Sequence, residues 1–357
     1  MKHPDSTSLD LNEQFLHALH IMEETDKNVF ITGRAGTGKS TLLQHFRNTT
    51  KKKIAVLAPT GVAAVNVKGQ TIHSFFGFKP DITPDMVKGM RPREKTIYKK
   101  LDAIVIDEVS MVRADLMDCI DGFLRIHGKS KSLPFGGIQM IFIGDLYQLP
   151  PVVTSRDKAI FGSLYRSPYF FDAMAFGSGF DMQLIELEKV YRQRDDSFLK
   201  ILNAIRNNTA TDEDIAAINA RYMPEFHDDK GFYIHLTTTN DLADSINTRR
   251  LADLKDREYT YQGMIEGDFN IKDLPTGLDI TIMIGAQVML LNNDSMGRWI
   301  NGSIGKVTGI EKTKGEPDVI RVELQDGETV DVGPYTWGMY EFHYDKKART
   351  VISDVVG

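Results

Sequence analysis

The chain has 357 residues, of which 41% are hydrophobic and 26% are charged, with a formal net charge of −6 and one cysteine. This length allows two or three domains of a soluble globular protein, and the lone cysteine excludes a disulfide framework and a cysteine zinc site. The acidic balance gives no whole-molecule sign of nucleic-acid binding. We expect no secretory signal, because the N-terminal stretch MKHPDSTSLDLNEQF has no apolar region of the kind such a signal needs. We also expect no membrane span, because no apolar run approaches about 18 residues.

The first half of the chain, from residue 28 to about 153, alternates short apolar runs with polar stretches that suit helices. The apolar runs are NVFIT, KIAVLAPT, LDAIVIDE and IQMIFIGD. Continuous apolar runs that end in Gly, Pro, Asp or Thr are typical of parallel strands buried on both faces. They predict a doubly wound α/β domain, whose ligands bind beyond the carboxyl ends of the strands.

The loop after the first run carries the most specific signal. Its sequence GRAGTGKS, from Gly33 to Ser40, fits the phosphate-binding pattern G-x-x-x-x-G-K-[ST] between a predicted strand and a predicted helix. Backbone N–H groups and the helix N-terminus favour a phosphate there, Lys39 would reach the β/γ-phosphates, and the Ser40 hydroxyl would ligate Mg²⁺. The predicted binding residues are Gly36, Thr37, Gly38, Lys39, Ser40 and Thr41. The sequence therefore predicts a bound nucleoside triphosphate.

Two basic clusters follow along the chain. Lys51–Lys53 is interpreted as a solvated surface, whereas the stretch RPREKTIYKK, residues 91–100, lies in a region without a clear core pattern and is a stronger candidate for a nucleic-acid contact. Charge alone does not decide between these interpretations.

Asp107 and Glu108 end the third apolar run. An Asp at this position can hold Mg²⁺, and the adjacent Glu can orient and deprotonate an attacking water. The pair by itself is also compatible with a helix cap. Together with the phosphate loop it favours hydrolysis of the nucleotide over transfer to a metabolite.

The second half of the chain reads differently. MQLIELEKV and FYIHLTTTN are strand-like, and a helical pattern begins at Asp241 with Asn240 as its predicted N-cap, which together suggest a second α/β domain. After about Asn292 short alternating runs predict a small antiparallel barrel-like module. Asp326-Gly327 between two such runs predicts a hairpin.

This order of motifs resembles the superfamily 1B helicases of the PIF type, which are 5′-to-3′ DNA helicases. The resemblance covers nearly the whole chain and rests on LNEQFLHAL, GRAGTGKST, APTGVAAVNVKGQTIHSFF, IDEVSM, GDLYQLPPV, VYRQ and HLTTTN. The segment from Glu108 to about Arg125 is similar to the family's signature motif. The resemblance implies an α/β fold of two RecA-like doubly wound parallel-sheet motor domains, the second incomplete, with a small all-β SH3-like insertion.

The implied domain scheme has three parts. Residues 1–180 would form the first motor domain with a wedge-like insertion at 76–100, residues 181–301 part of the second motor domain, and residues 302–357 the SH3-like insertion. Two further family motifs, one glycine-rich and one carrying a second γ-phosphate arginine, are not found before Gly357. That absence puts coupled unwinding in question.

The resemblance also implies roles for individual residues. Gln14 would recognise the adenine of ATP, Gln148 would sense the γ-phosphate or the attacking water, and Arg192 would reach the γ-phosphate from the second domain. The implied catalytic residues are Lys39, Asp107, Glu108, Gln148 and Arg192, with Ser40 and Asp107 as the Mg²⁺ ligands. Pro150 and Pro151 would stiffen the segment after Gln148, so that a displacement there is passed to the strand-binding residues.

Single-stranded DNA and single-strand/duplex junctions are the implied partners. The implied DNA-binding residues are Thr60, Gly61, Val62, Asn66, His73, Ser74, Phe75, Pro151, Val152, Thr154, Ser155, Thr238, Thr239 and Asn240. Core packing remains an alternative for Phe75. Contacts of this kind hold a strand by phosphate and sugar without reading its sequence.

The predicted function is ATP-dependent translocation on single-stranded DNA with duplex unwinding. The alternatives left open are an ATP- and single-strand-binding module without unwinding, and a P-loop kinase or ATPase switch unrelated to nucleic acid. We expect a monomer, with dimerisation on DNA left open. We also expect a cytoplasmic, nucleoid-associated protein in a bacterium or a nuclear or mitochondrial one in a eukaryote, and the family implies DNA repair and telomere maintenance.

Overall fold

The computed structural model describes residues 12–92, 94–153, 164–177, 179–189, 196–226, 232–267, 269–312, 315 and 317–357. The chain divides into two compact units. Unit 1 contains residues 1–215, 267–269 and 338–357, and unit 2 contains residues 216–266 and 270–337. These limits differ from the predicted boundaries at 180/181 and 301/302, and the three-part helicase domain scheme stays a prediction.

Six of the described strands of unit 1 form one sheet in the order β3-β2-β4-β5-β1-β6, and each neighbouring pair is parallel. The strands are β1 (Asn28–Gly33), β2 (Ile54–Ala58), β3 (Gln70–Thr71), β4 (Ala103–Ile106), β5 (Gln139–Ile143) and β6 (Met182–Leu187). Because the strands are parallel, their carboxyl ends share one edge of the sheet. The predicted α/β fold with a parallel sheet is confirmed.

Helices cover both faces of this sheet. The described helices that lie wholly in unit 1 are α1 (Glu13–Glu24), α2 (Lys39–Thr49), α3 (Gly61–Asn66), α4 (Ile72–Phe76), α5 (Pro84–Val87), α6 (Thr96–Lys100), α7 (Ala114–His127) and α8 (Asp196–Arg206). Short 3₁₀ turns lie at Val109–Met111, Pro134–Gly137, Phe170–Asp172 and Met174–Phe176. None of the helices in the described part of the chain is long and apolar enough to cross a membrane.

The strand side chains alternate between two cores, as the two-residue period of a strand requires. In β5, Ile141 and Ile143 pack with α1 and α2, whereas Met140 and Phe142 pack with the residues of α7. All four side chains are fully buried. Burial on both faces explains why the sequence shows continuous apolar runs rather than an apolar–polar alternation.

Strand β6 corrects one part of the sequence prediction. The run MQLIELEKV is predicted to belong to a second α/β domain, but β6 pairs with β1, with Leu184 opposite Phe30. The edge position of β6 explains its mixed burial, since Leu184 is 67% exposed whereas Ile185 and Leu187 are buried. An edge strand with one covered face lacks the continuous apolar run of the central strands, so the sequence does not assign it to their sheet.

The segment 76–100, predicted as a wedge-like insertion, contributes to the core of unit 1. Phe78, Ile82, Val87, Ile97 and Tyr98 are buried in the same cluster as the apolar side of α7. Its described residues form only the short helices α5 and α6. A role for this segment at a duplex junction stays a prediction.

Unit 2 is described by a helix and two antiparallel sheets. Helix α9 (Asp212–Asn219) begins in unit 1 and ends in unit 2, and α10 (Asn240–Ala252) lies wholly in unit 2. Strands β7 (Tyr259–Gln262) and β8 (Asp279–Ile282) pair together, while β9 (Gln287–Met289), β10 (Ile304–Glu311), β11 (Val319–Leu324) and β12 (Thr329–Val332) form a sheet in the order β12-β11-β10-β9. The predicted hairpin at Asp326-Gly327 joins β11 to β12 and is confirmed.

Two local predictions in unit 2 are wrong. The run FYIHLTTTN, residues 232–240, forms no strand, and its last residue begins α10. The described residues of unit 2 pair only in antiparallel sheets. The N-cap of α10 is Thr239 rather than Asn240, because the Thr239 side chain accepts a hydrogen bond from Leu242 N at 3.4 Å. Both residue types cap helices, so the sequence does not separate them.

The end of the chain returns to unit 1. Strands β13 (Tyr340–Asp345) and β14 (Thr350–Val355) form an antiparallel hairpin within that unit. Phe342 N donates to Gln70 Oε1 at 3.1 Å, which fastens the hairpin beside β3. The predicted antiparallel module at 302–357 is therefore divided, with its last hairpin packed on the parallel-sheet unit.

Candidate nucleotide and nucleic-acid site

The loop from Gly33 to Gly38 joins β1 to α2 at the carboxyl edge of the sheet. Gly36 and Gly38 have φ values of +81° and +91°, a region that favours glycine, and Gly38 is the N-cap of α2. Thr37 is buried, and its Oγ1 donates to Arg34 O at 2.8 Å, which closes the loop on itself. The loop and the first turn of α2 thus form a phosphate cradle of the predicted kind.

Lys39 lies in the first turn of α2, with its ammonium group turned toward the loop. Its Nζ donates to Gly33 O at 2.7 Å and to Arg34 O at 3.2 Å. Burial lowers the pKa of Lys39, while the charges of Asp145, Glu108 and Asp107 oppose that shift. The Lys39 ammonium therefore experiences the charges of three carboxylates and, with the opposite effect, that of Arg206. Ser40 and Thr41, the next two predicted binding residues, are exposed at the start of the same helix.

Asp107 and Glu108 follow β4, two strands away from β1 in the sheet. Asp107 N donates to Leu57 O at 2.9 Å, and Glu108 adopts a left-handed conformation with φ of +50°. Burial, followed by the charge of Glu108, raises the pKa of Asp107 to about 6. Two adjacent carboxyl groups at a buried edge favour a bound cation, because a cation relieves their mutual repulsion.

The chemistry of these residues fits a magnesium ion. The Ser40 hydroxyl and the Asp107 carboxylate are hard oxygen donors of the kind Mg²⁺ takes together with phosphate oxygens and water. No cluster of three His, Cys, Asp or Glu side chains suited to a metal occurs in the described ranges.

Gly144 lets the end of β5 approach the carboxylate turn closely. A Cβ at this position would lie 3.0 Å from Val109 Cγ1 and 3.2 Å from Ser110 N. The Ser110 hydroxyl in that turn is buried and has no hydrogen-bond partner among the described residues. The glycine of the GDLYQ motif is therefore a packing requirement between the third and fourth apolar runs.

Asp145 organises the residues that follow β5. Its carboxylate accepts hydrogen bonds from Tyr147 N at 3.1 Å, Gln148 Nε2 at 3.1 Å and Arg206 Nη1 at 2.7 Å. Burial favours a higher pKa for Asp145, but these hydrogen bonds and the Arg206 charge outweigh it, so the pKa lies below its usual value. The sequence did not indicate a role for Arg206, because an arginine at the end of a helix belongs to no recognisable motif.

Gln14, the predicted adenine-recognition residue, lies at the start of α1. Its Oε1 accepts a hydrogen bond from Glu188 N at 3.0 Å, just beyond β6. A surface depression of about 650 Å³ adjoins it, lined by residues of α1 and β6 that include Leu16, His17 and Leu184. The position is open enough for a nucleobase, and the role of Gln14 stays a prediction.

The loops after β2 and β3 carry the first set of predicted strand-binding residues. Thr60 caps α3 by accepting from Ala63 N at 3.2 Å, and Val62 on that helix is 39% exposed. Gly61 is buried, whereas Asn66 at the end of α3 is exposed. Backbone and small polar groups thus reach the surface at the same sheet edge as the phosphate loop.

Helix α4 presents one side to solvent and one to the core. Ser74 is exposed, and its Oγ accepts from Gln70 Nε2 at 2.9 Å. Burial lowers the pKa of His73, which favours the neutral form of its ring. Phe75 is only 6% exposed and packs edge-on against Phe76 and Phe342. The ring of Phe75 is a core element here, in line with the packing alternative, and its DNA contact stays a prediction.

The remaining predicted DNA contacts are dispersed. Pro151 is buried, while Val152 is 71% exposed. Thr154, Ser155 and the predicted catalytic Arg192 lie outside the described residues. Thr238, Thr239 and Asn240 are exposed at the N-terminus of α10 in unit 2.

A comparison with protein families identifies the class. The model described as PIF1-like helicase matches residues 12–215, more than half of the chain. The chain belongs to the PIF1-like helicase family. The match includes the phosphate loop, the Asp107-Glu108 pair and the Asp145–Gln148 motif.

Known PIF1-like proteins agree over most of the chain. The ATP-dependent DNA helicase Pif1 of Bdellovibrio bacteriovorus is 30% identical over 343 residues, which are 93% of this chain and 74% of that protein. The chain spans only 34% of the Saccharomyces cerevisiae relative, with 33% identity.

Two solved structures of Bacteroides Pif1 extend the comparison. The complex with ADP-AlF4 has a TM-score of 0.86 and 32% identity, covering 98% of this chain and 80% of that one. The complex with ADP-AlF3 and single-stranded DNA has a TM-score of 0.61 and 32% identity, with the same coverage. The predicted family is therefore confirmed.

Proposed function

We propose that this chain is the motor part of an ATP-dependent DNA helicase that moves 5′-to-3′ on single-stranded DNA and unwinds duplexes. One observation carries the proposal. The phosphate loop, Asp107-Glu108 and Asp145–Gln148 follow β1, β4 and β5, and the Thr60 and His73 loops follow β2 and β3. In one parallel sheet all these positions share the carboxyl edge, so nucleotide and strand contacts adjoin each other.

The residues divide the chemistry between them. Lys39 neutralises charge on the β/γ-phosphates, and Glu108 orients the attacking water and accepts its proton. Ser40 and Asp107 would hold Mg²⁺, which supplies charge neutralisation to the phosphates when bound. Gln148 contacts the γ-phosphate or the water, so its position depends on whether the nucleotide has three phosphates or two.

The finer architecture is part of the same proposal. The sheet β1–β6 with its helices supplies the first RecA-like motor domain, and the chain beyond β6 supplies part of a second motor domain and an SH3-like insertion. Arg192 and the Thr238–Asn240 turn are assigned to the second domain's contacts with nucleotide and strand. The Bacteroides Pif1 complex with ADP-AlF3 and single-stranded DNA supports ATP and single-stranded DNA as the ligands of this chain.

ATP hydrolysis with and without single-stranded DNA tests the proposal. We expect DNA to stimulate hydrolysis, and we expect Lys39→Ala and Glu108→Gln each to lower kcat by about 10²-fold or more, since each removes a group that acts on the transferred phosphate or the water. Lys51→Ala, an exposed lysine outside the site, is the matched control and should keep wild-type rates. Hydrolysis that is indifferent to DNA would overturn the motor proposal.

Duplexes with a 5′ or a 3′ single-stranded tail test direction and unwinding. Strand separation only on the 5′-tailed duplex supports 5′-to-3′ movement. ATP and single-strand binding without separation of either duplex would instead support the binding module, the second candidate function.

A further inference from the structure

Arg206 is the last residue of α8, and its guanidinium lies against two residues of the motif that follows β5. Its Nη1 is 2.7 Å from Asp145 Oδ2, and its Cζ lies 4.2 Å from the centre of the Tyr147 ring. The side chains of the ion pair are 15% and 2% exposed for Arg206 and Asp145. This is a buried, stacked arginine rather than a surface salt bridge.

Both residues that Arg206 contacts lie just before Gln148 in the chain. The Asp145 oxygen that binds Arg206 also accepts from Gln148 Nε2 at 3.1 Å, and Gln148 N donates to Asp145 O at 2.9 Å. Tyr147, the residue before Gln148, is 64% exposed and carries the guanidinium on its ring. The position of the Gln148 amide therefore depends on two groups that Arg206 holds.

The charges of the ion pair also act on Lys39. Asp145 and Arg206 both act on the Lys39 ammonium, with opposite signs. Removal of Arg206 would leave the buried Asp145 carboxylate without the cationic partner that stabilises its charged form. A planar guanidinium satisfies the carboxylate and the ring together, which a lysine ammonium does not.

The backbone of Arg206 is held in place by the end of helix α8. Asn207 N closes the helix on Asn203 O at 2.9 Å, and Asn208 turns the chain away with φ of +55°. A cation in the last helical turn is also favoured by the helix dipole. The arginine is thus held by a defined helix end, as a group that positions another residue must be.

We propose that Arg206 is a positioning residue of the nucleotide site, which holds Gln148 through Asp145 and Tyr147 so that the site distinguishes ATP from ADP. The inference rests on the proposed role of Gln148 as the γ-phosphate contact. It does not require that the chain unwinds DNA.

The test measures the dissociation constants of ADP and of the nonhydrolysable β,γ-imido analogue of ATP, both with Mg²⁺, by calorimetry on the full chain. The readout is the ratio of the two constants. Arg206→Gln should reduce the wild-type preference for the analogue by about tenfold, the size of one hydrogen bond to a charged group, while ADP affinity stays within about threefold. Arg206→Lys should retain only part of the wild-type preference for the analogue, because an ammonium group replaces the planar guanidinium. Lys200→Gln removes an exposed charge from the same helix and should change neither constant.

Two further variants separate positioning from other roles. Gln148→Ala should lower the ratio as Arg206→Gln does, and the double variant should lose no more than Gln148→Ala alone. Additive losses would mean that Arg206 contacts the nucleotide itself, which overturns the positioning role. If Arg206→Gln does not fold, as its thermal transition will show, Tyr147→Leu removes the stacking contact and should still lower the ratio.

An unchanged ratio in Arg206→Gln, or a wild-type ratio of one, overturns the inference. A wild-type chain that prefers the analogue but hydrolyses no ATP contradicts the proposed function, yet leaves the ratio of Arg206→Gln as a decisive measurement. The two failures are therefore distinguishable.

Discussion

At the scale of single residues, the carboxylate of Asp107 in the candidate nucleotide site destabilises the folded protein when it is ionised. Burial and Glu108 raise the pKa of Asp107 from 3.8 to about 6, so the folded protein favours the protonated form. The uncharged Asp107 side chain therefore stabilises the folded protein relative to the ionised one. This contribution to the free energy of unfolding is fully present below pH about 4 and is lost as the pH rises through about 6. At neutral pH the ionised Asp107 carboxylate therefore lowers the free energy of unfolding.

We expect Asp107→Asn to raise the free energy of unfolding by up to about 3 kcal/mol at pH 8 without divalent cations, because the amide carries no buried charge. The gain should shrink as the pH falls toward 4. Urea unfolding at pH 8 and pH 5 measures it, with the exposed Asp81→Asn as a control that should show no gain. A variant less stable than the wild type at pH 8 would contradict this account.

The sequence could predict that residues at motif positions lie in the candidate site. It could not predict which distant residues contact them. Lys39, Asp107 and Asp145 lie at strand ends that the apolar runs mark in the sequence. Arg206 is 61 positions beyond Asp145, and only the folded chain brings its guanidinium to that carboxylate. A contact at this separation leaves no local pattern.

At the scale of elements, α7 anchors the segment that precedes β6. The Asp118 carboxylate accepts hydrogen bonds from Tyr165 Oη at 2.7 Å, Ala175 N at 2.8 Å and Met174 N at 3.2 Å. Asp118 lies within the signature-like segment that runs from Glu108 to about Arg125. The structure thus gives this segment a concrete role, which is to hold the chain that returns from the GDLYQLPPV motif to the sheet.

Asp118→Ala leaves three donors without their acceptor, and we expect it to cost about 2–4 kcal/mol of stability. Hydrogen exchange at Met174 and Ala175 should accelerate together with the global loss. Tyr165→Phe, which removes one hydrogen bond and keeps the ring, should cost about 1 kcal/mol and leave exchange at those amides slow. Equal effects from the two variants would show that the carboxylate is not the anchor.

Elements with continuous apolar runs were predictable, because a strand buried on both faces must be apolar throughout. The runs that became β1, β2, β4 and β5 show this. The run FYIHLTTTN is equally apolar at its start, but a strand also needs a neighbour to satisfy its backbone groups. Partner availability is a tertiary property, so the sequence could not exclude this segment as a strand.

At the scale of the whole molecule, the chain returns to its first unit after passing through the second. The hairpin β13–β14 packs on unit 1, where the Phe342 ring lies 6.4 Å from the Phe75 ring and its N–H binds Gln70. Arg47 of α2 lies 6.0 Å from the Tyr340 ring on the same hairpin. Residues about 270 positions apart thus share one core.

Phe342→Ala should lower the free energy of unfolding by about 1–3 kcal/mol, because it removes a partly buried ring from the edge of a packed aromatic cluster. Protease resistance near Phe75 should fall with it. Tyr335→Ala, an exposed aromatic of unit 2, is the matched control and should have little effect. Unchanged stability in Phe342→Ala would show that the hairpin does not support unit 1.

The amino-acid sequence by itself determined the parallel α/β sheet, the phosphate loop, the carboxylate pair and the family, because each depends on neighbours along the chain. Only the tertiary structure decided that β6 joins the first sheet, that Phe75 packs against Phe342, and that Arg206 holds Asp145. The physical reason is the same in the three cases. Edge pairing, ring packing and buried ion pairs join residues distant in sequence, and their energies depend on burial that exists only after folding.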